Sequence, residues 1–255
     1  MSDTQVPEGG AREDSWAKPV THLEVGAVDG ADAGNVQGRR LSGPIQGFGK
    51  LWQKTYTVAI PGEGVTPEHV ISEWRANYGS FWPKGNKFYA PLTGIKPGDV
   101  GLISGRAGGL TLSTGVLVLY ADEVSFSFMT PEGHPFAGLI NFSAFDGPDG
   151  TTVAQVSLLV RAHDPIMEMG MLMMGHRKED RMWQDTLRNL AGHFGVEGEV
   201  DTVVVCVDKK RQWKYFKNIK HDAAFYAVTK PFRRRRPRAD VEGSSREGAA
   251  GGDIG

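Results

Sequence analysis

Residues 161–195 read "RAHDPIMEMGMLMMGHRKEDRMWQDTLRNLAGHFG", and their periodicity decides the fold. Asp164 is a good N-cap and Pro165 suits the first helical position. Trp183, Leu187, Leu190 and Phe194 recur at i, i+4, i+7 and i+11, which makes one apolar stripe. Carried backwards, the stripe reaches His176, Met173 and Met169. Gly195 closes the run. The spacing predicts one amphipathic helix from Pro165 to about Phe194, and such a helix needs an apolar surface to cover.

That surface lies upstream. "KTYTVAIPG" puts Tyr56, Val58 and Ile60 on one face of a half-buried strand and ends it at Pro-Gly. A short helix follows, with Thr66 as N-cap, Pro67 at the first position, Val70, Trp74 and Tyr78 on one face, and Gly79 as the stop. "FWPKGNKFYAPLTGIKPGDVG" is rich in turn residues. Then come "VGLISG", "LTLSTGVLVLYA", "EVSFSFMT", "GLINFSAFDG" and "TTVAQVSLLVRA". Each alternates and each is closely followed by the next, with Gly147 to Gly150 as a hairpin turn, so an antiparallel meander is expected. Beyond the long helix, "EVDTVVVCVDKKRQWKYF" predicts one more strand, and "AAFYAVT" fits strand or helix equally.

Composition bounds the rest. Lys and Arg number 29 against 30 Asp and Glu, a net charge of −1. No global field therefore points to nucleic acid. Cys206 is the only cysteine, which rules out an internal disulfide and suits a reducing, cytoplasmic setting. The start, "MSDTQVPEGG", lacks the basic and apolar regions of a secretory signal. No apolar run approaches the roughly 20 residues of a membrane helix. Residues 1–43 and 231–255 carry too little apolar surface to offset chain ordering, so both ends are expected to be disordered. The second of them holds Arg233, Arg234, Arg235, Arg236 and Arg238, a cluster able to make weak contacts with nucleic acid or an anionic membrane.

A curved antiparallel sheet covered by a long C-terminal helix resembles the helix-grip architecture of START, Bet v 1 and polyketide-cyclase-like proteins. The fold class expected is α+β, with the sheet wrapped around the helix and disordered termini. The chain then divides into the N-terminal segment 1–43, a helix-grip-like domain 44–197, an extension 198–230 packed on or extending the sheet, and the basic tail 231–255. A shorter element is more particular. Gly133, His134, Pro135, Gly138 and Phe142, in "EGHPFAGLINF", resemble the Gly-His-Pro turn of the DUF1990 (UPF0548) family, and Gln184 in the helix fits as well. The likeness covers roughly Glu73 to Val196. Leu139 and Ile140 stand where that family has two acidic residues, so any chemistry of those carboxylates is missing here. The resemblance implies the fold and little about activity.

Candidate site residues follow from both readings. Phe126, Phe128, Phe142, Met169, Met173 and His176 are candidate walls of an apolar cavity between sheet and helix, although a methionine run fills cores as readily as it lines cavities. His134 sits in a turn stiffened by Pro131, Gly133 and Pro135, and reads first as a shape residue. His176, Glu179 and Asp180 read first as a solvated turn of the helix. The expected function is binding of a small apolar or amphipathic ligand. One alternative is a cyclase- or hydratase-like enzyme using His134 or His176 as general acid–base. Another is an interaction protein acting through the basic tail. No cofactor, metal site or nucleophile motif is expected.

Overall fold

The computed structural model describes residues 13–26, 28, 30–107 and 110–229. Both the start of the N-terminal segment and the arginine cluster lie outside the described residues.

Eight strands form one antiparallel sheet in the order β2-β3-β4-β5-β6-β7-β1-β8. β1 is Leu51–Ile60, and α1, Pro67–Ala76, crosses to the far edge. There β2 (Asn86–Tyr89), β3 (Val100–Ala107), β4 (Leu110–Ala121), β5 (Ser125–Met129), β6 (Phe136–Asp146) and β7 (Thr152–Ala162) return as a meander until β7 pairs with β1. The long helix follows in three parts. They are α2 (Pro165–Gly170), a π turn (Met171–Gly175) and α3 (His176–His193). β8, Val200–Asp208, adds itself to the other edge of β1. A 3-10 helix, Trp213–His221, and α4, Ala223–Thr229, finish the described chain. This is the helix-grip arrangement, with a strand added after the helix.

The caps explain the helix starts. Asp164 accepts hydrogen bonds from the N–H groups of Ile166 and Met167, and Thr66 accepts one from His69. Cross-strand pairing defines the concave face. One row runs Val118, Phe128, Ile140, Leu158, Lys54, and the next runs Phe126, Phe142, Val156, Tyr56. Trp74 from α1 and Trp183, Leu187 and Leu190 from α3 close over these rows and complete the main core.

The N-terminal segment departs from expectation. From Trp16 onward the chain straps the convex face, where Leu23 and Val36 are fully buried against Val100, Leu102 and Leu117. Those three alternate with the inward-facing residues of β3 and β4, so this part of the sheet is apolar on both sides and needs a second cover. α4 lies over β4 as well. The strap was not readable as structure because its apolar residues insert one at a time, with no helical or strand period.

Candidate functional site

The concave row contains one charge. Lys54 points inward from β1 with no exposed side chain, between Leu158 and Val204. Its Nζ donates to Glu179 Oε2 at 2.8 Å and to Asp180 Oδ1 at 2.7 Å, both near the start of α3. Tyr56 Oη donates to the same Asp180 oxygen at 2.6 Å. Burial pushes the Glu179 carboxyl above its ordinary pKa, while Lys54 pulls it back. Burial and the hydrogen bond to Asp180 push the Tyr56 phenol far up, so it stays a donor. Glu179 Oε1 is buried and has no hydrogen-bond partner.

Beside this cluster lies a cavity of about 10 Å³, the space of roughly one water. Trp52, Phe136, Met171, His176 and Glu179 are among its walls. His176 is half-buried, packs edge-on to Trp52 at 4.7 Å, and has its pKa lowered by burial and then by the Lys54 charge. The π turn forms the lid. It is bracketed by Gly170 and Gly175, weak helix formers that make an irregular turn cheap.

Several sequence-based site expectations need correction. Phe126, Phe128 and Phe142 are fully buried, but they fill the interior rather than line a void. Phe126 stacks on Phe142 at 4.7 Å, and Trp74 and Tyr78 close edge-on against them. Met169 and Met173 face solvent, 61% and 79% exposed, because the π turn inserts one residue and rotates the stripe. Met171 takes the inward place instead. Glu179 is not on a solvated turn. The clue was available in the sequence: Lys54 shares the parity of Tyr56, Val58 and Ile60, and Glu179 falls four before Trp183.

His134 is held inside its turn. Its N–H closes a turn onto Pro131 O at 3.1 Å, and the Phe136 N–H donates to its Nδ1 at 3.0 Å. Burial lowers its pKa to about 4, so the ring is neutral at pH 7. Gly133 is required there, with φ +88° and the His221 carbonyl 2.7 Å from where a Cβ would stand. A second buried cluster joins the extension to the helix start. His163 is fully buried, its ring 3.9 Å from the carboxylate of Asp164, and the Asp222 carboxyl is raised first by burial and then by Asp164. Among the described residues no group of His, Cys, Asp or Glu is placed to hold a metal, and no helix is long and apolar enough to cross a membrane.

No protein-family model matches the chain, and no curated protein matches it. The likeness to DUF1990 therefore rests on the turn around His134 and its flanks. Solved structures do match. A conserved protein from Geobacillus kaustophilus is 13% identical over 58% of this chain and 98% of its own, with a TM-score of 0.43. A START superfamily protein from Mycobacterium smegmatis is 18% identical over 58% and 98%, with a TM-score of 0.39. The major latex-like protein 151 of Panax ginseng is 14% identical over 57% and 99%, with a TM-score of 0.36. The chain has a helix-grip fold. That statement rests on its own strand order and on the helix in the concave face.

Proposed function

We propose that this protein binds a small amphipathic molecule at the Lys54–Glu179 corner, under the π turn. One observation carries the reading: Glu179 lines a cavity walled also by Trp52, Phe136 and Met171, and its buried carboxylate oxygen Oε1 has no partner. An unsatisfied buried acceptor is costly, and a ligand donor there would remove the cost. The cavity is lined by the cations Lys54 and Arg161, and both are already paired with carboxylates, so an anionic head is disfavoured. A neutral hydroxyl or phenol suits the site, donating to Glu179 with its apolar body against Trp52 and Phe136. His134 serves indirectly, since its ring holds the backbone of Phe136 at the wall.

The cavity is too small for such a molecule while Met171 fills the lid. The Met171 side chain is unbranched and flexible, and a change of its rotamer opens the site while the π turn keeps its register. The test is amide and indole chemical-shift titration with 1-naphthol and, separately, 1-naphthoate. The expected result is that naphthol shifts the Trp52 indole and the amides of the π turn, naphthoate does so at least about tenfold more weakly, and Glu179→Gln weakens naphthol. Equal binding of both probes, or shifts confined to the outer strap, would overturn the reading.

A second reading is supported by His176 on the same wall. There it would act as general acid–base of a cyclase- or hydratase-like enzyme, beside a carboxyl whose pKa is raised. It requires His176→Ala to abolish turnover while leaving naphthol binding in place.

A further inference from the structure

Away from that corner, the start of the long helix carries a second kind of surface. Three segments meet there. Arg211 Nε donates to Glu168 Oε1 at 2.9 Å and joins the run before the 3-10 helix to α2. Asn218 Nδ2 donates to the carbonyls of Gln46 and His163, at 3.0 and 2.9 Å, and joins the 3-10 helix to the turn that holds Ile45. Phe48 packs edge-on against Trp213 at 5.2 Å. Around these joints Ile45, Met169, Leu172, Met173, Trp213 and Phe216 are all exposed, Trp213 by 70%. Single exposed apolar residues need no explanation, but several gathered on segments packed against one another do.

The charge around them is one-sided. The run "DKKRQWKYFKNIKH", 208–221, places Lys209, Lys210, Lys214, Lys217 and Lys220 in solvent. No acid lies between residues 209 and 220. Among the described residues the only Lys or Arg of that stretch in a salt bridge is Arg211, with the buried Glu168, and His221 at its end lies 3.9 Å from Glu132. The acid just before it, Asp208, is occupied by Arg161 at 2.6 Å.

We infer that this face docks on the surface of an anionic lipid bilayer. Trp213 and Phe216 are amphipathic or aromatic bodies of the kind that settle at the headgroup level, and the methionines and leucine beside them reach toward the acyl boundary. The lysines ring them and meet the lipid phosphates and carboxylates, their stems lying along the apolar surface. Single-stranded nucleic acid would also use lysines and stacked aromatics. It has no use for exposed Ile45, Leu172 and Met173, and those residues decide for lipid. None of the exposed apolar or lysine side chains of this face lines the ligand corner, although the face and the corner share the π turn and Glu168.

The experiment is co-sedimentation of the full chain with phosphatidylcholine vesicles, with and without phosphatidylserine. Binding is expected only with phosphatidylserine, and it should be released by salt of about 0.5 M. Lys214→Glu with Lys217→Glu should weaken partitioning at least about thirtyfold. Leu172→Ser with Met173→Ser should weaken it while leaving the melting temperature unchanged. The Trp213 contribution to fluorescence, taken as wild type minus Trp213→Phe, should shift to the blue on vesicles. Three outcomes would overturn the inference. One is no binding. Another is full loss on replacing only Arg233 to Arg236 and Arg238 with Ser while the lysine and Leu172/Met173 variants bind normally. The third is a stronger Trp213 response to single-stranded RNA than to vesicles, which assigns the face to nucleic acid.

Discussion

The first half of the long helix is the more apolar in sequence, with seven Ile, Leu and Met among residues 165–175 against five apolar residues among the eighteen of α3, and yet it is the less buried. In α3, Trp183, Leu187 and Leu190 enter the core. In α2 and the π turn, Met169, Leu172 and Met173 stand in solvent, and among the described side chains Glu168 and Met171 are the buried ones. The inward positions run Glu168, Met171, His176, Glu179, Trp183. Every step is three or four except the one across the π turn, which is five. One inserted residue rotates all that precedes it by about 100°. An apolar stripe therefore predicts a buried face only as far as its register holds. The rotation puts a lid over a buried ion cluster on one side and an apolar surface in water on the other.

The strongest way to break this contrast is at the cluster beneath the packed half. Lys54→Met should cost about 3–5 kcal/mol by urea denaturation, since it strands Glu179 and Asp180 without their cation. The cost should grow with pH. A carboxyl whose folded pKa is raised binds more protons folded than unfolded, so stability falls as pH rises through that window. With Lys54 gone nothing pulls Glu179 back, and the variant should lose more at pH 8 than at pH 5. A loss under about 1 kcal/mol at both pH values would mean that the cluster is solvated and not part of the interior.

A smaller effect sharpens the reading of the turn around His134. Its folded pKa of about 4 lies below the unfolded value, so between those two values the unfolded chain binds the extra proton. Stability is complete above the unfolded value and is lost as pH falls toward 4, by up to about 3 kcal/mol. His134→Asn keeps an acceptor for the Phe136 N–H and removes the titration. It should cost about 1 kcal/mol at pH 7 and flatten the acid limb of the stability curve. An unchanged acid limb would show that the imidazole is solvated.

Much of this was legible. The strands were, because Phe126 and Phe128 alternate with Ser125 and Ser127, and Val156, Leu158 and Val160 alternate with smaller or outward residues; alternation survives any tertiary context. β2 was not, since its four residues sit inside a turn-rich stretch. The strap was not, because Leu23 and Val36 are buried by what they land on. The site was half legible. A lysine on the apolar parity of β1 and a glutamate on the apolar stripe of α3 have opposite signs, and each accounts for the other. Neither does so alone, and the pairing spans 125 residues. The π turn left only a weak trace, the two glycines around the methionine run.

The smallest expected effect is the most direct test of the rotated half. Met173→Ser should change stability by no more than about 0.5 kcal/mol, as for any exposed position without partners. Leu187→Ala, on the packed half, should cost about 2–5 kcal/mol. Filling a cavity with Met173→Trp would have been the natural experiment had the stripe run unbroken. With Met173 79% exposed, that substitution adds surface and fills nothing. Both changes at 173 should therefore melt with the wild type, and denaturation of the three variants side by side gives the comparison. If Met173→Ser instead cost 2 kcal/mol or more, the residue would have to be packed inside. The helix would then be regular through the turn, Met171 would lose its inward place, and the lid over Lys54 and Glu179 would be built from different residues.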